Sequence, residues 1–90
     1  MCQTVQLTQL HRHLDGFNRQ SDHIKIVENG EVLGELVGVA SFQQGTQIIG
    51  RVPVSRLKDH ARHFITSLPR TKIVFRNGEP MAVLITHKQD

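Results

Sequence analysis

The chain of 90 residues contains no Trp, no Tyr, four Phe and a single Cys. With so few aromatic side chains, the core must consist of Leu, Ile and Val, which predicts a small β/α layer without a large ligand pocket. The lone cysteine, Cys2, excludes an internal disulfide and favours a reducing compartment. No apolar run approaches the ~18 residues that span a bilayer, and no signal segment opens the chain. The sequence therefore predicts a cytoplasmic protein with no membrane partner.

Two stretches of the chain, residues 5–37 and 52–85, are imperfect copies of one another. An offset of 47 positions up to residue 27, followed by an offset of 48 from residue 29, aligns 11 identical residues in 32 pairs. Each copy is shorter than the ~40 residues at which a core usually becomes self-sufficient, so the copies must pack together. We therefore expect one domain, residues 1–90, made of two repeats (about 4–37 and 51–85) joined by an extended connector, 38–50.

Each copy begins with a predicted strand and helix. Alternating residues predict strands at 4–7 and 51–54, and the hydroxyl side chains of Thr8 and Ser55 are predicted to cap the helices that follow. Apolar residues three or four positions apart then form one helical stripe in each copy. We expect the first helix to end near Gly16 and the second to continue to about Ser67.

A β-hairpin completes each copy. Strands are predicted at 24–27 and 32–37 around Asn29-Gly30, and at 72–75 and 81–85 around Asn77-Gly78. Asn-Gly favours a type I′ turn because both residues tolerate a positive φ. The apolar residues of the connector 38–50 suggest that part of it adds a strand or lies on the sheet.

The order strand, capped helix and hairpin resembles the DNA-binding region of the Phd/YefM (prevent-host-death) antitoxin family. The resemblance is closest over residues 52–85, where Val52-Pro-Val-Ser-Arg-Leu57 resembles the opening strand and cap, and Arg76-Asn-Gly-Glu-Pro-Met-Ala-Val-Leu-Ile85 resembles the hairpin. Residues 5–37 carry a fainter version. The resemblance implies an α+β fold in which a duplicated strand-helix-hairpin unit forms one small antiparallel sheet, with helices packed on one side and a pseudo-two-fold axis.

The same resemblance implies a function. In that family two chains pair through their sheets, bind operator DNA, and block a toxin with a C-terminal segment. Here only five residues follow Ile85, so a repressor is expected in preference to a toxin-neutralising protein. We therefore expect an antitoxin-like transcriptional regulator that represses its own toxin-antitoxin operon, forms a homodimer, and has operator DNA and a toxin protein as its candidate partners.

Charge is distributed unevenly between the copies. Residues 1–45 carry three basic and five acidic side chains, whereas residues 46–90 carry eight basic and three acidic ones, within a total of +3. A basic half suggests nucleic acid, and ordinary solvated charges are the alternative. The DNA-binding candidates are Arg56, Lys58, Arg62, Arg70, Lys72 and Arg76. Of these, Arg56 is expected to read bases and Lys58 to hold phosphate.

Six histidines raise the question of a metal site. Only His60 and His63 have ligand-like helical spacing, and no second Cys or close acidic partner joins them, so no metal and no cofactor is expected. The chain also lacks a nucleophile elbow, a Walker-type loop and a convincing Ser/His/Asp set, so no enzymatic activity is expected. A protein-interaction module is the alternative function. Such a module would bind and inhibit a toxin or another protein through the acidic first repeat or an exposed strand edge.

Overall fold

The computed structural model describes residues 2–41 and 50–88 of the chain. Its strands and helices are β1 (Cys2–Gln6), α1 (Leu10–Asp15), β2 (His23–Glu28), β3 (Glu31–Gly38), β4 (Gly50–Pro53), α2 (Val54–Asp59), α3 (Ala61–Thr66), β5 (Thr71–Arg76) and β6 (Glu79–Thr86). Short 3-10 turns lie at Leu7–Gln9 and Val39–Ser41. We call residues 2–41 the first half and residues 50–88 the second half.

The six strands form one sheet in the order β1-β2-β3-β6-β5-β4. The four inner strands are antiparallel, but β1 pairs parallel with β2 and β4 pairs parallel with β5. The α+β class is as expected, whereas the expectation of an antiparallel sheet is wrong. A helix lies between β1 and β2 and again between β4 and β5, and such a crossover returns the chain in the direction in which it started.

The two halves meet at the centre of the sheet through β3 and β6. Leu36 pairs with Leu84 in the middle of this antiparallel ladder, and both side chains are fully buried. Each of these strands also belongs to a hairpin, as predicted. Asn29 and Gly30 have φ of 52° and 79°, and the second turn, Asn77-Gly78, has φ of 52° and 81°. Positive φ at both central residues is the requirement of a type I′ turn.

One face of the sheet carries the core. Directly paired residues share a face, and the pairs Val5 with Ile26, Leu36 with Leu84, and Val52 with Val74 all belong to one buried cluster. The three helices contribute Leu10, Leu14, Leu57 and Ile65 to the same cluster. These helices therefore pack on one side of the sheet, as expected.

The predicted helix caps are wrong. Thr8 lies within the 3-10 turn Leu7–Gln9, and Ser55 is already the second residue of α2. Pro53 occupies the N-cap position of α2 in an extended conformation, with φ of −67° and ψ of 144°, and no side chain caps either helix. Proline has no backbone N–H, so Pro53 adds no unsatisfied hydrogen-bond donor at the start of α2.

The helical segments of the two halves differ in length. Helix α1 ends at Asp15, just before Gly16 as predicted. The second segment reaches Thr66, close to the predicted Ser67, but His60 with φ of −132° and ψ of 48° divides it into α2 and α3. As a result α3 lies across the centre of the sheet. A Cβ added to Gly34 of β3 would lie 3.1 Å from Cγ2 of Ile65 on α3.

The strand register shows how the halves correspond. Val5 pairs with Ile26, and Val52 pairs with Val74, so the offset between the halves is already 48 at β2. The identical triplets Lys25-Ile26-Val27 and Lys72-Ile73-Val74 therefore do not occupy equivalent places, and the one-residue gap lies before β2. A slip of one residue moves every side chain to the other face of a sheet.

The connector is described only in part. Residues Val39–Ser41 form a 3-10 turn after β3, and Gly50 begins β4. The prediction that the connector adds a strand or lies on the sheet concerns residues 42–49, which lie outside the described residues.

Candidate nucleic-acid interface

The six predicted DNA-binding residues fall into three structural situations. Arg56, Lys58 and Arg62 are exposed on α2 and α3, and Arg70 is exposed just before β5. Arg76 is half-buried at the end of β5, and Lys72 is buried within the same strand. Five of the six are therefore accessible to solvent to some degree, and Lys72 is not.

Lys58 and Arg76 meet beside the end of α1. The Lys58 ammonium donates a hydrogen bond to the carboxylate of Asp15, and the Arg76 guanidinium donates to the carbonyl oxygen of Leu14. The hydrogen bond and the charge of Lys58 lower the pKa of Asp15 below its usual 3.8, and the nearby charges of Arg76 and His11 add to this effect. Two cations of the second half thus converge on one acidic residue of the first half.

Arg62 forms the matching contact at Glu28. Its guanidinium donates to the Glu28 carboxylate at the end of β2. The sequence alignment of the copies matches Arg62 with Asp15, and the strand register matches Arg76 with Glu28. Each of these two positions therefore carries an acid in the first half and an arginine in the second. Opposite charges consequently face one another where identical halves would place two carboxylates together.

Arg56 and Arg70 differ from these paired residues. Both are exposed, and neither forms an ion pair with a described residue. A free guanidinium keeps all of its donors for a ligand, and its planar fork suits phosphate or a guanine edge. Arg56 lies on the same helix as Lys58, whereas Arg70 lies in the segment that enters β5 from α3.

Lys72 is buried and cannot reach a ligand, so the prediction that it binds DNA is wrong. Its side chain is 3% exposed, and its ammonium donates to the carbonyl oxygen of Ser67 at 2.7 Å, with Oγ1 of Thr86 at 3.4 Å. Burial lowers the pKa of Lys72 from its usual 10.5. In the first half the equivalent position is Ile24, a core residue that is 2% exposed. The register of β5, which the sequence alignment had shifted by one, decides this orientation.

The acidic residues of the first half have partners as well. Besides Asp15 and Glu28, Asp22 accepts from the backbone N–H of Asn18 at 2.8 Å, and Glu31 pairs with Lys88 at 2.7 Å. The sequence shows the net charges of the halves but not their mutual neutralisation. The signal that could have revealed it is the exchange of charge sign at equivalent positions of the two copies.

Glu35 is the centre of a second polar cluster, on the face of the sheet opposite the helices. Its carboxylate binds Nε2 of His23 on β2 and, at 2.6 Å, Nε2 of His87 after β6. Burial acts to raise the pKa of Glu35, but the hydrogen bonds and charges of the two histidines outweigh it and hold the pKa below 4.5. This cluster links three neighbouring strands.

The histidines do not form a recognisable metal centre. Within residues 2–41 and 50–88, no group of three or more His, Cys, Asp or Glu side chains has an arrangement that could hold a metal ion. His60 and His63, the pair with helical spacing, line a surface depression of about 570 Å³ beside Arg62 and Ser67. His63 packs edge-on against the ring of Phe64, with the ring centroids 5.2 Å apart.

No known protein-family model, curated protein or solved structure matches this chain. In the part of the chain that the structure describes, none of the helices has the length and apolar character required to cross a bilayer.

Proposed function

We propose that this protein is an antitoxin-like DNA-binding transcriptional regulator that represses its own operon. The observation that carries the proposal is the exposed basic surface of the second half. Arg56, Lys58 and Arg62 are exposed on the consecutive helices α2 and α3. The half-buried Arg76 donates to the carbonyl oxygen of Leu14, the residue before the Asp15 partner of Lys58. We call these four side chains the basic surface. Cations presented together in this way match the repeated negative charge of a phosphate backbone.

The ion pairs of the basic surface are compatible with DNA binding. The Arg62 side chain is 50% exposed and that of Lys58 is 34% exposed, so both pairs lie at the solvent boundary. Exposed ion pairs are weak because water screens them, and a phosphate oxygen can replace the carboxylate as acceptor. DNA would therefore compete with Asp15 and Glu28 for these cations, while Arg56 is available without competition.

The architecture supports the same proposal. The strand order is the same when read inward from either edge, and Leu36 and Leu84 occupy equivalent places at its centre. We therefore propose that the chain is a duplicated Phd/YefM-like unit and that its two halves form, within one polypeptide, the paired sheet that two chains form in that family. A regulator of this type would act in the cytoplasm.

The alternative function, a protein-interaction module, is supported by the outer edge of β1 and not by the acidic side chains. The acidic side chains of the first half are engaged with His, Lys, Arg or backbone partners in the same chain, so they are less available to a toxin. The outer edge of β1, in contrast, has no partner strand among the described residues. A protein-interaction module would therefore bind its partner through this edge.

A fluorescence-anisotropy titration tests the DNA-binding proposal. The labelled probes are DNA from upstream of the protein's own gene and a scrambled duplex, each at two salt concentrations. We expect tight, sequence-dependent binding that weakens with salt, and we expect the double variant R56A/K58A to reduce the slope of log K against log salt by about two. Equal and weak binding to both duplexes would overturn the proposal.

Lys25 provides the matched control for that experiment. It is exposed on β2 between Ile24 and Ile26, whose side chains face the helices, so Lys25 projects from the opposite face of the sheet. The Lys25→Ala variant therefore removes a positive charge without changing the basic surface. Its binding and salt slope should remain close to those of the wild-type protein.

A further inference from the structure

The two edges of the sheet differ in a way that points to an interaction. The outer strand β1 pairs with β2 in continuous register from Cys2 to Gln6, without a bulge. On its other side no described strand pairs with it. Four of its five residues are exposed, and none of the five carries a formal charge at neutral pH or is proline. Such an uncharged edge is a ready template for another strand.

The opposite edge, β4, carries the devices that prevent strand addition. It has four residues, Gly50–Pro53, and includes both a charge and a proline. The guanidinium of Arg51 lies over the ring of Phe75 on the neighbouring strand, 5.5 Å from the ring centroid. Pro53 lacks a backbone N–H, so it cannot donate to an added strand. Charged side chains, proline and short length are the usual means by which natural proteins protect sheet edges.

Corresponding positions make the comparison between the edges direct. Val5 and Val52 are equivalent because they pair with the equivalent residues of β2 and β5. Arg51 and Pro53 therefore occupy the places of Thr4 and Gln6 in β1. One edge of the same architecture is protected, and the other edge has polar, uncharged side chains at the same two positions.

We propose that β1 is a dimerisation edge, and that β1 of one copy pairs antiparallel with β1 of a second copy to form a continuous sheet across a two-fold axis. With Thr4 at the axis, Thr4 faces its own counterpart, Gln3 faces Val5, and Cys2 faces Gln6. No like charges meet in this arrangement, and paired threonines are favourable neighbours in antiparallel sheets. This inference concerns assembly and does not depend on DNA binding.

A second copy is the occupant that the two edges together favour. Among the described strands, each chain offers one open edge and one protected edge, so pairing through β1 uses the open edge of both chains and stops at two. Two open edges would instead allow an indefinite sheet. A ladder of five residues buries less than the ~1,200–2,000 Å² typical of stable interfaces, so we expect a dimer that dissociates on dilution.

Sedimentation equilibrium of the full chain under reducing conditions tests the inference, because the reductant prevents a disulfide through Cys2 from linking two chains. Over micromolar to millimolar concentrations we expect a reversible monomer–dimer equilibrium. The Thr4→Arg and Gln6→Pro variants should each be monomeric over the same range. Both variants place in β1 a residue that β4 has at the equivalent position, Arg51 or Pro53. We therefore expect the fold to tolerate both substitutions.

The matched control is Gln9→Arg, which adds the same charge at an exposed position outside the strand and should dimerise normally. Far-ultraviolet circular dichroism would verify that each variant is folded. Amide hydrogen exchange supplies a second measurement, since the β1 amides should exchange more slowly at high protein concentration. A wild-type protein that stays monomeric at millimolar concentration would overturn the inference, as would a dimer that both β1 variants leave intact.

Discussion

Lys58 on α2 binds the carboxylate of Asp15 at the end of α1, and this contact joins the basic half of the chain to the acidic half. Arg62 and Glu28 make a comparable contact. The acidic member of each pair belongs to the first half and the basic member to the second. The uneven charge of the sequence is therefore partly neutralised inside the molecule, between halves that pack against one another.

This arrangement has a consequence for ligand binding. Lys58 and Arg76 both act on Asp15, so under the proposed function its carboxylate would compete with a phosphate oxygen for these two cations. If the proposed function is correct, the strength of DNA binding depends on the acidic residues of the first half as well as on the cations themselves.

Removing the Asp15 charge should strengthen DNA binding. In the Asp15→Asn variant the cations Lys58 and Arg76 lose their anionic competitor, and we expect affinity for the upstream duplex to increase about two- to fivefold. Fluorescence anisotropy at low salt measures the change. Glu31→Gln is the control, because it removes one negative charge of β3 from an exposed pair with Lys88. An equal gain for both variants would indicate a general effect of net charge.

Replacing Lys72 by Met should abolish a pH dependence of stability. Burial lowers the pKa of Lys72 below 10.5, so between the folded and unfolded pKa values the unfolded chain binds more protons. The free energy of unfolding should therefore rise as pH increases through that window towards 10.5. Urea unfolding at neutral and alkaline pH measures this rise, which Lys72→Met should lack.

The same variant should be well tolerated at neutral pH. Methionine is apolar and of similar length, and it removes the cost of burying an ammonium that has no carboxylate partner among the described residues. The carbonyl oxygen of Ser67 keeps the Thr86 hydroxyl as a neighbouring donor at 3.5 Å. A strong loss of stability in Lys72→Met would show that the ammonium itself is required, against this expectation.

Glu35→Gln should destabilise the sheet. The Glu35 side chain is 19% exposed and its two oxygens bind His23 and His87, so loss of the charge should lower the free energy of unfolding by about 1–2 kcal/mol. Because the pKa of Glu35 is held below 4.5, its contribution is fully present above pH 4.5 and is lost as pH falls through the folded pKa. Thermal unfolding across acidic pH should show a smaller decrease in the variant.

Glu31→Gln serves as the comparison on the same strand. Its pair with Lys88 is exposed, with the Glu31 side chain at 54%, so the substitution should change stability by less than about 0.5 kcal/mol. Equal effects at positions 31 and 35 would contradict the importance of the contacts that Glu35 makes with His23 and His87.

Gly34→Ala should destabilise the centre of the sheet. A Cβ at this position would lie 2.7 Å from the carbonyl oxygen of Ile85 and 3.1 Å from Cγ2 of Ile65. Strand β3 would have to move away from β6 as well as from α3, at a cost of about 1–3 kcal/mol. Gly16→Ala is the matched control, because a Cβ added there would meet nothing within 4 Å and the φ of Gly16 is −105°. Chemical denaturation that shows equal stability for both variants would contradict this account.

Several local features were predictable because they depend on neighbouring residues alone. Asn29-Gly30 and Asn77-Gly78 formed the expected turns, since both residues accept positive φ whatever surrounds them. The end of α1 at Asp15, just before Gly16, was also predicted. The predicted hydroxyl caps were wrong although Thr8 and Ser55 have the right chemistry, because the chain enters each helix at a different residue.

The candidate site was less predictable because it depends on contacts between distant parts of the chain. The positions of Arg56, Lys58 and Arg62 on a helical surface followed from apolar spacing, whereas their pairing with Asp15 and Glu28 required knowledge of how the halves pack. The orientation of Lys72 required the register of β5. Identical residues in the two copies favoured an offset of 47 at β5, whereas strand pairing established an offset of 48.

The sequence by itself determined two hairpins, the helical stripes and the presence of two similar halves, because turn chemistry and apolar periodicity act over a few residues. Only the tertiary structure decided the parallel outer strands, the burial of Lys72 and the neutralisation of charge between halves. Strand direction depends on where a crossover returns, and side-chain orientation depends on a register that a single residue can invert. The ion pairs depend on groups that are 34 and 43 residues apart in the chain.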